Sequence, residues 1–126
     1  MNTRQVKFKY TGSALPGNAE VVTFLDSTGT GFPGNFGDTF GLARIIVRLV
    51  NDQSGTLTLE VSTNRGTTWT VISTNAVAAS AANNENVYDF LIEGLADIRI
   101  KWTNGATPQT TFIPSISGTG QRHIAN

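Results

Sequence analysis

Cysteine is absent from the 126 residues, so neither a disulfide nor a thiolate-held metal can brace this fold. The only histidine is His123, too few for a zinc site of ordinary composition and a poor base for a Ser-His-Asp set. No Gly-x-Ser-x-Gly elbow accompanies it. Charge is scarce as well: 14% of residues are charged, against about 25% in an average domain. Nine Lys and Arg balance nine Asp and Glu, which argues against a dedicated nucleic-acid binder and against electrostatic anchoring to a membrane. No apolar run approaches the roughly 18 residues of a membrane-spanning helix; Ile45 to Val50 is the longest cluster and contains Arg48. Met1 to Glu20 lacks the apolar core of a secretory signal. These absences predict a soluble chain made in a cytoplasm, without cofactor or metal.

What fills the polar positions instead is Thr, Ser, Asn and Gly, a composition that favours strands over helices. At 13.4 kDa the chain is expected to fold as one domain over residues 1–126, removing roughly two-thirds of its extended-chain surface from water. Alternation of apolar and polar residues recurs along it. Val6, Phe8 and Tyr10 mark a first strand within residues 1–18, which also read as an N-terminal arm. Strands then follow at Glu20 to Leu25, Leu42 to Asn51, Leu57 to Ser62, Trp69 to Ile72, Val87 to Ile92, Asp97 to Thr103 and Gln109 to Ser117. Leu42 to Asn51 is apolar on both faces and is predicted to lie centrally. Ser73 to Glu85 reads as an Ala- and Asn-rich loop. Asn104-Gly105 reads as a hairpin dipeptide, and Pro114 places the last long strand at an edge or a bulge. About eight short strands predict an all-β antiparallel sandwich of jelly-roll type.

The chemistry-bearing residues do not converge. Glu60, Asp89, Glu93 and Asp97 are scattered over strand faces and turns, and are read as solvated partners of Arg44, Arg48, Arg99 or Lys101. Asn83, Asn84, Glu85 and Asp89 offer oxygens to calcium but lack an EF-hand pattern. The glycine-rich stretch Asp26 to Gly41 has no Lys-Ser/Thr ending, which excludes a P-loop. Within it, Phe32, Phe36 and Phe40 sit among glycines, and are read either as packed on the core or as anchors in a neighbour's pockets.

Ser62-Thr63-Asn64-Arg65-Gly66-Thr67-Thr68-Trp69 resembles the Asp-box, with Asn64 in place of the acid. The resemblance implies a structural turn in which Asn64 bonds backbone amides, Gly66 takes φ > 0 and Trp69 packs beneath the hairpin. Leu42 to Ile72, and the tail Ala96 to Asn126 with Ile98-Arg99-Ile100-Lys101-Trp102-Thr103-Asn104-Gly105, are together similar to small virion proteins of tailed bacteriophages, closest in character to capsid decoration, or cement, proteins. That likeness implies a non-enzymatic homotrimer that binds the major capsid protein on the outer surface of a shell, after synthesis in the host cytoplasm. Arg4, Val6, Phe8, Tyr10, Phe32, Phe36 and Phe40 are the expected subunit or capsid contacts. A small-molecule ligand is not expected. The rival reading is a carbohydrate-binding or receptor-binding module of a tail fibre, with Trp69, Trp102 or Tyr88 as a sugar platform; the strand alternation, however, directs both tryptophans inward.

Overall fold

The computed structural model describes residues 3–8, 15–28, 44–80, 84–92 and 97–121. Eight strands occur in chain order: β1 (Thr3–Phe8), β2 (Val21–Asp26), β3 (Arg44–Asn51), β4 (Gly55–Ser62), β5 (Thr70–Val77), β6 (Asn86–Leu91), β7 (Asp97–Asn104) and β8 (Phe112–Gln121). No helix occurs among the described residues. The strands form two four-stranded sheets, ordered β1-β8-β3-β6 and β2-β7-β4-β5, and every pairing is antiparallel. The pairs β1/β8, β2/β7, β3/β6 and β4/β5 are those of one long ribbon folded back on itself. Wrapping that ribbon adds the β3/β8 and β4/β7 contacts, which is the jelly-roll arrangement of an all-β sandwich.

Alternation explains which face each strand buries. Ile45, Val47 and Leu49 of β3 face Leu57 and Leu59 of β4 and Ile98, Ile100 and Trp102 of β7 across the sandwich, with Val22, Phe24, Phe90, Phe112 and Ile116 completing the core. Trp102 is fully buried and packs against Phe112 at 5.4 Å between ring centroids. Its indole N–H donates to Asn104 Oδ1 at 3.2 Å, so the ring's one polar atom is satisfied inside the core. Gly55 makes room for this ring, because a Cβ there would fall within the Trp102 indole.

Several segments depart from the sequence reading. Ser73 to Val77 continues β5 as strand. It shows no apolar stripe because on this edge strand the inner face carries half-buried Ser73 and Asn75, and of these five residues only Val77 joins the core. Asn104-Gly105 makes no hairpin: β7 and β8 lie in different sheets, and Gly66 is the only glycine with positive φ among the described residues. Gly105 instead permits close passage, since a Cβ there would lie 3.0 Å from the Ser54 carbonyl oxygen. β8 runs inside its sheet, between β1 and β3. Pro114 lies opposite Leu49 of β3 in a register without a bulge. Thr3–Phe8 pairs with β8 in the chain's own sheet, with Arg4 opposite Gly120, Val6 opposite Gly118 and Phe8 opposite Ile116.

Candidate functional site

The two sheets present outer faces of different chemistry. On the β2-β7-β4-β5 sheet, register sets Glu60 opposite Arg99 and Ser62 opposite Asp97. Arg99 grips both Glu60 oxygens at 3.0 and 3.2 Å, and Lys101 Nζ lies 2.9 Å from the same carboxylate. Burial works to raise the Glu60 carboxyl, but the hydrogen bonds and charges of Arg99 and Lys101 outweigh it and hold the group below its ordinary value. Asp97, almost wholly buried, accepts from Ser27 Oγ at 2.9 Å and from Arg65 Nη1 at 3.2 Å. Glu60 and Asp97 are therefore enclosed, contrary to their reading as solvated charges. The sequence offered no local signal for the pairing of Arg65 with Asp97.

The turn from β4 to β5 sits over this charged ladder. Asn64 Oδ1 accepts the Thr68 N–H at 2.9 Å, while Ser62 Oγ accepts the Gly66 N–H at 2.8 Å. Arg65 and Gly66 take φ of 58° and 86°, so the turn needs two successive left-handed residues, and glycine supplies one of them without steric cost. Trp69 is half-buried and outside the core: its ring carries the Arg99 guanidinium at 4.4 Å and lies under Gly66. The alternation that directs Trp102 inward thus does not extend to Trp69, which precedes β5. Tyr88 packs against the core from a half-buried position. On the β2-β7-β4-β5 face Glu60, Arg99, Lys101, Asp97 and Arg65 pair with one another, and Val21 and Val71 stand about half exposed at its edges.

The β1-β8-β3-β6 sheet differs. Val87 and Leu91 of β6 and Ile113 of β8 are 55%, 70% and 60% exposed, and Ile46 and Val50 of β3 lie half-buried between them. Arg44 pairs with Asp89 at 2.9 Å. Exposed Arg48, flanked in register by Val87 and Ser115, has no ion-pair partner among the described residues. Over β8, β3 and β6 the outcome is a face on which exposed aliphatic side chains alternate with the Arg44–Asp89 pair, Arg48 and small hydroxyls. Burying an aliphatic side chain of this size is worth about 1.5–3 kcal/mol when complete, so three of them can anchor a modest interface.

Among the expected contacts, Arg4, Val6 and Phe8 fall in β1 of this sheet. Tyr10, Phe32, Phe36 and Phe40, together with Glu93, Asn83 and His123, lie outside the described residues. Among the described residues no group of three His, Cys, Asp or Glu is placed to hold a metal ion.

Comparison with solved structures finds the same fold elsewhere at low identity. The crystal structure of PBSX exported protein XepA superposes with a TM-score of 0.67 at 18% identity, over 98% of this chain and 39% of that one. The chain thus spans about two-fifths of XepA's length. The tobacco streak virus coat protein superposes with a TM-score of 0.52 at 14% identity, over 99% of this chain and 90% of that one. SPBc2 prophage-derived protein YomS gives a TM-score of 0.46 at 13% identity, over 94% and 92% of the two chains. None of the curated proteins matches the chain. Residues 5–117 match the model of the YqxG_N family, described as the N-terminal domain of the uncharacterised protein YqxG, and the chain belongs to that family.

Proposed function

We propose that this chain is a non-enzymatic virion structural protein that lies on the outer surface of a phage capsid as a homotrimer, bound to the major capsid protein and stabilising the shell. The observation that carries the reading is the outer face of the β1-β8-β3-β6 sheet, where Val87, Leu91 and Ile113 stand exposed beside Arg48, Arg44 and Val50 respectively. A surface of that chemistry suits a protein that binds another protein's surface by many shallow contacts, repeated over copies so that avidity supplies the strength. Two further points support it. The buried acids Glu60 and Asp97 are each engaged by cations, and the fold is shared with a viral coat protein and with a PBSX exported protein.

The test is sedimentation of the purified chain with mature capsids, with procapsids and with an insoluble polysaccharide. The reading expects pelleting with mature capsids alone. Pelleting with polysaccharide alone would replace it by the tail-fibre, carbohydrate-binding reading.

A further inference from the structure

Each sheet of the sandwich ends in two edge strands, and an edge strand presents unpaired backbone N–H and C=O groups that invite another strand. Three of the four edges carry a recognised protection. β1 contains Arg4 and Lys7. β2 is six residues long, carries Asp26 at its end and is interrupted by a bulge between Thr23 and Leu25. β6 is also six residues and holds Asp89 in its middle. β5 is the exception. Its eight residues, Thr70–Val77, include no charge and no proline, and Val71 and Ile72 are about half exposed. The irregularity in its pairing with β4 falls near its start, between Leu59 and Glu60, so that Ser73 to Val77 run in unbroken register.

We propose that the β5 edge is a self-recognition surface, on which β5 of a second copy adds in antiparallel sense about a two-fold axis to join two β2-β7-β4-β5 sheets into one. The occupant follows from the chemistry of the strand. An antiparallel pair of identical strands is self-complementary in its hydrogen bonding, as an isologous contact requires. Charge decides between the edges, because apposing like charges across a strand pair is destabilising: β1 against its own copy would bring Arg4 and Lys7 together, whereas β5 against its own copy brings none. The five residues in unbroken register, Ser73 to Val77, at roughly 3.3 Å each give an edge of about 16 Å. This inference does not depend on binding to a shell.

Light scattering coupled to size exclusion tests it on the full chain. The wild type is expected to contain an even number of copies, six where two of the proposed trimers join through β5, and Thr74→Lys, at an exposed position of β5, is expected to halve its mass with an unchanged circular dichroism spectrum. Val21→Lys, on the opposite edge of the same sheet, is the control and should leave the mass unchanged. A wild type of odd copy number, a folded Thr74→Lys of unaltered mass, or a Val21→Lys that also halves the mass would each overturn the β5 contact. The copy number of Thr74→Lys separates this inference from the proposed trimer: three copies, about three times 13.4 kDa, agree with the trimer, and one copy contradicts the trimer while leaving the edge contact standing.

Discussion

Trp69 and Trp102 lie on opposite sides of the same sheet, and their environments set different consequences for removal. Trp102 is fully buried, bonded to Asn104 and seated on Gly55, so Trp102→Ala should cost about 3–5 kcal/mol in denaturant unfolding, as buried aromatic truncations do. Trp69 is half-buried, packed under the turn and against Arg99, and Trp69→Ala should cost about half as much, by the same measurement. Gly55→Ala should cost about 1–3 kcal/mol, since its Cβ must displace the Trp102 ring in a packed core. Asp52 makes a pH prediction. Its carboxyl is lowered from 3.8 to about 2, first by the Thr110 hydroxyl and then by the Thr111 N–H, tying the β3–β4 turn to the segment before β8. A depressed carboxyl stabilises the fold above its unfolded value and loses that contribution as pH falls through the folded value. Melting temperature followed from pH 4 to pH 2 should therefore fall more steeply for the wild type than for Asp52→Asn.

Strands with a buried stripe are legible from sequence. The inward positions of β3, β4 and β7, all central in their sheets, carry Ile45, Val47, Leu49, Leu57, Leu59, Ile98, Ile100 and Trp102. β5 was partly hidden, because an edge strand needs no apolar stripe and its Ser, Thr and Asn residues resemble loop. The role of Asn104 was hidden too: its side-chain amide donates to the carbonyls of Pro16, Gly17 and Thr107, contacts that only the tertiary fold creates, whereas Asn-Gly in sequence is a turn signal. The Asp-box resemblance located the β4–β5 turn, since its bonds are local. It could not reveal that Trp69 would meet Arg99, thirty positions onward. Because Thr3–Phe8 covers β8, deleting Met1 to Phe8 should lower the melting temperature and expose a strand edge that aggregates on heating, where an accessory arm would leave the melt unchanged.

The whole molecule joins a sealed core to two unlike outer faces. One face spends its charges internally, in Glu60 with Arg99 and Lys101 and in Asp97 with Arg65. The other leaves aliphatic side chains and Arg48 available. Low overall charge is legible in the sequence, but which side chains stand exposed on which face is not, because exposure depends on which strands become neighbours. The central claim is that the β1-β8-β3-β6 face seats the protein on a capsid. The most direct measurement is the affinity of Leu91→Asp/Ile113→Asp for mature capsids, by sedimentation, beside the wild type and with melting curves to verify folding. Losing two aliphatic contacts worth about 1.5 kcal/mol each should weaken binding about 100-fold. A folded double variant that binds as tightly as the wild type would contradict the claim.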